Sequence, residues 1–111
     1  MKQGEIWLVD FATKVGDEMD KKRPVLIVSN NAIGKLRLKV VVPVTDPAAN
    51  IQTWHLPIRK SDTNGLTKNS MADCFQLKSI SNERFLKRLG VLSDEDMDEV
   101  KFGLAKVLDL L

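Results

Sequence analysis

The sequence predicts a mainly β domain, a small and strongly bent sheet or barrel with one helix packed on it. Three observations carry this. Short runs rich in β-branched and aromatic residues recur along the chain, each bounded by turn-forming clusters. One of them, from Leu36 to Thr45, begins in strict alternation. A sustained three- and four-residue apolar stripe occurs only in the last stretch, from Ser93 onward.

Taken in order, Gly4-Glu5-Ile6-Trp7-Leu8-Val9-Asp10-Phe11 reads as the first strand. The polar segment from Ala12 to Lys22 contains Gly16 and the charged run Asp17-Glu18-Met19-Asp20-Lys21-Lys22, and reads as an exposed loop long enough to carry function. Arg23-Pro24-Val25-Leu26-Ile27-Val28 follows, with a continuous apolar run typical of a strand buried on both faces. Ser29-Asn30-Asn31 is turn chemistry. In the next strand Leu36, Leu38, Val40, Val42 and Val44 share one face, and Arg37, Lys39, Val41, Pro43 and Thr45 the other. Pro43 has no N–H to give a ladder, which places that point at an edge or a bulge. Trp54 to Ile58 resumes strand, Ser61 to Gly65 breaks it, and Ser70 to Leu77 forms another. Ser81-Asn82-Glu83-Arg84 reads as the start of a short helix ending near Gly90. Ser93 then caps the terminal helix, with Asp94, Glu95 and Asp96 at the positive end of its dipole. Met97, Val100, Leu104, Val107, Leu108 and Leu111 form its stripe, and Gly103 interrupts it in a way that suggests close packing.

The 111 residues suffice for one domain, 1–111, and not for two. A 43% hydrophobic and 29% charged composition is that of an ordinary globular chain. With no apolar run near the ~20 residues of a membrane span and no signal-peptide core, a cytoplasmic protein without a membrane partner is expected. One cysteine, Cys74, and one histidine, His55, leave little for a metal site, so no cofactor is expected. The net charge of +2 is unevenly spread. Ser93–Leu111 holds six acids and two lysines, whereas the remaining residues hold fifteen basic and nine acidic side chains. A basic body with an acidic terminal helix can attract a polyanion on one side, although a normally solvated surface would look similar.

The sequence contains no glycine-rich phosphate loop, metal-ligand spacing or serine triad. The available groups still suit cleavage of RNA by its own 2′-hydroxyl. There the substrate supplies the nucleophile, and the protein must position it, move protons and stabilise an anionic phosphorane. Arginine suits the last task because its planar fork pairs with phosphate oxygens and keeps its charge.

Gly4-Glu5-Ile6-Trp7-Leu8-Val9-Asp10-Phe11, Val15-Gly16-Asp17-Glu18, Arg23-Pro24-Val25-Leu26-Ile27-Val28-Ser29-Asn30 and Val42-Pro43-Val44-Thr45 resemble successive signatures of the MazF/PemK endoribonuclease toxins. The similarity continues through Asp73-Cys74-Phe75-Gln76-Leu77-Lys78-Ser79-Ile80 and Lys87-Arg88-Leu89-Gly90 into the terminal helix. The resemblance implies an SH3-like barrel of the CcdB/PemK type, a homodimer, and a cognate antitoxin as partner. It implies metal-independent cleavage of single-stranded mRNA, leaving a cyclic phosphate and a 5′-hydroxyl.

On that resemblance Arg23 matches the catalytic arginine and Thr45 the catalytic threonine. Glu18 matches a recurrent loop acid that could orient Arg23 or take the 2′-hydroxyl proton. Without the resemblance, Arg23 is a charge at a strand entrance, Thr45 a β-branched strand residue and Glu18 one more solvated acid. This sequence departs from the family in one place. Many members carry an acid directly after the cysteine, where this chain has Phe75; its acid, Asp73, comes one residue before Cys74 and on a strand points to the face opposite Cys74. Phe75 could stack on a base or pack in a core or dimer contact. Gln76 could bind RNA or the partner subunit, and Lys78 could contact phosphate or sit on a solvated rim. Among the other candidates, His55 reads as a packing or surface residue and Cys74 as an inert buried thiol. Two rival functions follow from other classes. One is a non-enzymatic, CcdB-like gyrase-binding toxin; such toxins end in Trp-Gly-Ile, whereas this chain ends in Leu108-Asp109-Leu110-Leu111. The other is an SH3-like adaptor, for which only Trp7 and Trp54 offer an aromatic groove.

Overall fold

The computed structural model describes residues 1–11, 22–33 and 36–111. The expected loop with Glu18 lies outside the described residues. Among those described, seven strands precede one α-helix: β1 (Glu5–Asp10), β2 (Lys22–Ile27), β3 (Leu38–Thr45), β4 (His55–Ile58), β5 (Ser70–Asp73), β6 (Lys78–Ser81), β7 (Phe85–Val91) and α1 (Asp94–Val107). Every pairing is antiparallel, in the order β4-β5-β3-β2-β1-β7, and β6 continues beside β3 where β5 stops.

Strand alternation divides the apolar residues between two clusters on opposite faces. Leu26, Val42, Val44, Ile58, Ala72 and Cys74 face α1, which buries Met97 and Val100 against them. Val9, Val25, Ile27, Val41 and Ile80 point the other way and are covered by Trp7, Phe11 and Phe85. The uninterrupted apolar run of β2 follows, since Leu26 serves one cluster while Val25 and Ile27 serve the other. The helix begins as its sequence indicates: Ser93 Oγ accepts from Asp96 N–H at 3.1 Å. A Cβ on Gly103 would lie 2.7 Å from Leu56 Cδ2 and 2.9 Å from Cys74 Sγ, so the glycine lets α1 approach the sheet. The stripe stops at Val107, and Leu110 and Leu111 are exposed.

Three local expectations change. The run from Ser70 to Leu77 is not one strand, because Asp73 caps a 3-10 turn at Cys74–Gln76. The segment after Ser81 makes a 3-10 turn at Asn82–Arg84, and Phe85–Val91 then enters the sheet as β7 instead of continuing a helix. The free edge of β1 offers that segment a backbone ladder, with register shifts between Ile6 and Trp7 and between Leu8 and Val9. Pro43, finally, lies inside a central strand. It pairs with Val25 on one side, while on the other side the neighbour changes from β5 to β6. Val44 pairs with Ala72 but Val41 pairs with Lys78, and the surplus is the turn Cys74–Gln76. The proline therefore sits beside a bulge-like interruption, which is where a residue without N–H is tolerated.

The sheet is bent but open, with β4 and β7 as its edges. The loop between β4 and β5 bridges part of the gap, Val91 N–H donating to Thr63 O at 3.0 Å. Gly90 makes this approach possible, since a Cβ there would lie 2.3 Å from Thr63 O. No described helix is long and apolar enough to cross a membrane.

Candidate active site

The site residues gather on the sheet face opposite α1. Arg23 pairs with Val9 of β1. Extending the β2–β3 register beyond Val25–Pro43 by two residues brings Arg23 opposite Thr45. Residues opposed in a ladder project from the same face, so both lie on the side of the Val9-Val25-Val41 cluster. Arg23 is exposed, with Nη1 donating to Lys22 O at 2.7 Å. Thr45 is half-buried and its Oγ1 donates to Asp46 O at 3.2 Å.

Thr45 also pairs with Met71, which places Asp73, two residues on, on the same face. The sequence argument from alternation fails beyond this point because Cys74–Gln76 is a 3-10 turn rather than strand. Asp73 is 7% exposed and fully engaged. Its Oδ1 accepts from Phe75 N–H at 3.1 Å, and its Oδ2 accepts from Gln76 Nε2 at 2.8 Å. Across the β4–β5 ladder it pairs with His55, whose Nε2 lies 3.7 Å from Oδ1. His55 was not singled out by sequence as a site residue. The available signal was its position in a strand within reach of Asp73, and sequence gives no register for that pairing.

Phe75 and Gln76 are exposed at the tip of this turn. Phe75 is 66% exposed, and its ring lies 5.6 Å from that of Trp54. Lys78 pairs with Val41 and so belongs to the same face; its Nζ lies 4.8 Å above the Phe11 ring. Arg23, Thr45, Asp73 and Lys78 are thus brought to one face, with Phe75 and Gln76 at its margin. Glu18 belongs to the undescribed segment. Cys74 points to the opposite side, against α1, where its Sγ donates to Val100 O at 3.7 Å. Burial, and secondarily the neighbouring Asp73 carboxylate, push its thiol up to about 11, which makes it a poor nucleophile.

A cleft of about 610 Å³ lies elsewhere. It is at the far end of β3 and is lined by Met1, Ile33, Leu36, Leu38, Val40 and Ser79. Leu36 and Leu38 lie on the apolar face read from sequence, yet they are 58% and 50% exposed.

Comparison with known proteins places the chain in a family. Residues 2–108 match the model of the PemK-like, MazF-like toxins of type II toxin–antitoxin systems. The chain is 31% identical to endoribonuclease MazF9 of Mycobacterium tuberculosis, covering 99% of this chain and 98% of that protein. It is 36% identical to endoribonuclease PemK of Escherichia coli over 97% of this chain and 82% of that one. The fold matches a mycobacterial endoribonuclease solved in complex with its cognate antitoxin (TM-score 0.81, 21% identity, covering 100% of this chain and 97% of that one). It also matches a MazE–MazF structure from Deinococcus radiodurans (TM-score 0.83, 20% identity, the same coverage). The chain belongs to the PemK-like, MazF-like family of type II toxins.

Proposed function

We propose that this chain is a toxin endoribonuclease that cleaves single-stranded mRNA through the RNA's own 2′-hydroxyl, without a metal ion. The observation that supports this is the placement of Arg23 opposite Thr45, by register, on the open face of the sheet. In the reaction the 2′-oxygen attacks phosphorus, the bond from phosphorus to the 5′-oxygen breaks, and a 2′,3′-cyclic phosphate and a 5′-hydroxyl result. Arg23 neutralises charge on the phosphorane through its guanidinium fork. Thr45 supplies a hydroxyl that can donate to a phosphate oxygen, once released from Asp46 O. Glu18 receives the 2′-hydroxyl proton, and solvent water supplies the proton taken up by the departing 5′-oxygen. Lys78 and the turn around Asp73, Phe75 and Gln76 hold the flanking RNA. Basic residues here outnumber acids in the body of the chain, in accord with a polyanionic substrate.

The same reading gives the protein a cognate antitoxin, as in the solved complexes of its relatives, and a homodimeric state. The uncovered Leu36 and Leu38 are in accord with burial against another surface. A gyrase-binding role finds no comparable support.

The experiment is cleavage of a single-stranded RNA by Arg23→Ala and Thr45→Ala beside the wild type. Loss of one preorganised stabiliser of transition-state charge costs about 10²- to 10³-fold in rate. Arg23→Ala is expected to lose at least that while retaining its melting temperature. Full activity of a folded Arg23→Ala protein removes the reading.

A further inference from the structure

What the site reads in the RNA depends on the orientation of one amide. His55 Nδ1 accepts from Gln52 N–H at 3.0 Å, so the ring hydrogen lies on Nε2, facing Asp73 Oδ1 at 3.7 Å. Phe75 N–H donates to that same oxygen. Both neighbours of Oδ1 are therefore donors. Oδ2 meets the Gln76 amide, and a carboxylate has no hydrogen to offer. The amide can approach it only through nitrogen, which removes the usual ambiguity between an amide's oxygen and nitrogen. Gln76 is thereby held with Nε2 inward. Its Oε1 accepts no hydrogen bond among the described residues and is available on an exposed side chain. Beside it stands Phe75, 66% exposed and backed by the Trp54 ring. An aromatic ring supported in this way is a platform for an unpaired base.

We infer that the turn Cys74–Gln76 reads one base of the single-stranded RNA, Phe75 stacking on it and Gln76 Oε1 accepting from an amine at purine C6 or pyrimidine C4, so that adenine or cytosine is selected there. At that position adenine N6 and cytosine N4 donate, whereas guanine O6 and uracil O4 would oppose Oε1 oxygen to oxygen; guanine's own amine, N2, lies at C2, away from that position. Asp73 and His55 act as positioning residues, through Gln76. The inference rests on the RNA-cleaving reading and adds its specificity.

The logic makes an isosteric change reverse the preference. In Asp73→Asn, the two donors at Oδ1 keep the new amide's oxygen in that place, so its nitrogen takes the place of Oδ2. Gln76 must then turn over to accept from it and presents its own N–H₂ outward, which suits guanine O6 or uracil O4. The test maps cut sites of the wild type, Asp73→Asn and Gln76→Ala on one long RNA, with melting curves for each. One position near the scissile bond is expected to favour adenine or cytosine by about two- to tenfold, the effect of roughly one hydrogen bond. Asp73→Asn should shift that position to guanine or uracil, and Gln76→Ala should remove the preference. Gln76 is exposed, so its variant serves if Asp73→Asn fails to fold. Absence of such a position in the wild type overturns the inference. So does an unchanged preference in Gln76→Ala, or in a folded Asp73→Asn. Absence of RNA cleavage by the wild type overturns the functional reading itself, and the inference with it.

Discussion

The two faces of the sheet are built from the same strands and do opposite work. Toward α1, Leu26, Val42 and Val44 meet Val100 and Met97 in an apolar contact. On the other face the apolar cluster is small, and beyond it the same strands carry Arg23, Thr45, Asp73 and Lys78. The difference lies in alternation alone: Leu26 and Arg23 belong to one strand, three residues apart, and so face opposite ways. One side can be packed for stability while the other keeps polar groups on a rigid support, where their positions are held by the ladder rather than by a loop.

Breaking the helix-side contact is expected to give the largest effect on stability. Leu26→Ala removes a fully buried side chain and should cost about 2–5 kcal/mol in chemical denaturation. Arg23→Ala, only three residues away but exposed, should change stability by no more than about 0.5 kcal/mol. A comparable loss in both would show that the faces are not separable. Gly103→Val places side-chain atoms where Leu56 and Cys74 already stand, and overpacking there should cost about 1–3 kcal/mol. Its RNA-cleavage rate, measured well below the melting temperature, should stay close to that of the wild type.

A smaller effect separates the faces by pH. Burial raises the Glu5 carboxyl pKa, but this is outweighed by the Trp7 indole N–H, the Lys2 backbone, the N-terminal ammonium and Arg88, so the group lies below its ordinary 4.5. Because the folded pKa is the lower one, this stabilisation is present above the unfolded value and is lost as pH falls through the folded value. Glu5→Gln should therefore cost about 1 kcal/mol near neutrality and flatten the stability curve below pH 4.5. Finally, the buried Cys74 thiol, pushed up to about 11, should be alkylated at pH 8 only as fast as the protein opens. Rapid labelling of the native protein would show that the contact with α1 is looser than described.

Sequence made the strand of Val25–Ile27 and the terminal helix legible, because burial on two faces and a capped apolar stripe each leave a local pattern. The turn at Cys74–Gln76 was hidden, since Met71, Ala72, Cys74 and Phe75 look like strand. The bonds from Phe75 N–H to Asp73 and from Leu77 N–H to Cys74 O break the run. Phe85–Val91 was misread as helix because Ser81 does cap a turn, though one that lasts only to Arg84. What overrides the continuation is the unpaired edge of β1, a tertiary partner no local pattern reveals. In the site, Arg23 and Thr45 could be named from motif, but their shared face required the β2–β3 register. The placement of His55 beside Asp73 required the β4–β5 register in the same way.

The most direct test of the proposed chemistry is end-group analysis of single-stranded RNA incubated with the wild-type protein in excess chelator. The account predicts cleavage at full rate, with 5′-hydroxyl ends that a kinase labels without prior phosphatase treatment and cyclic phosphates on the other fragments. Cleavage that stops in chelator, or products with 5′-phosphates, would contradict it.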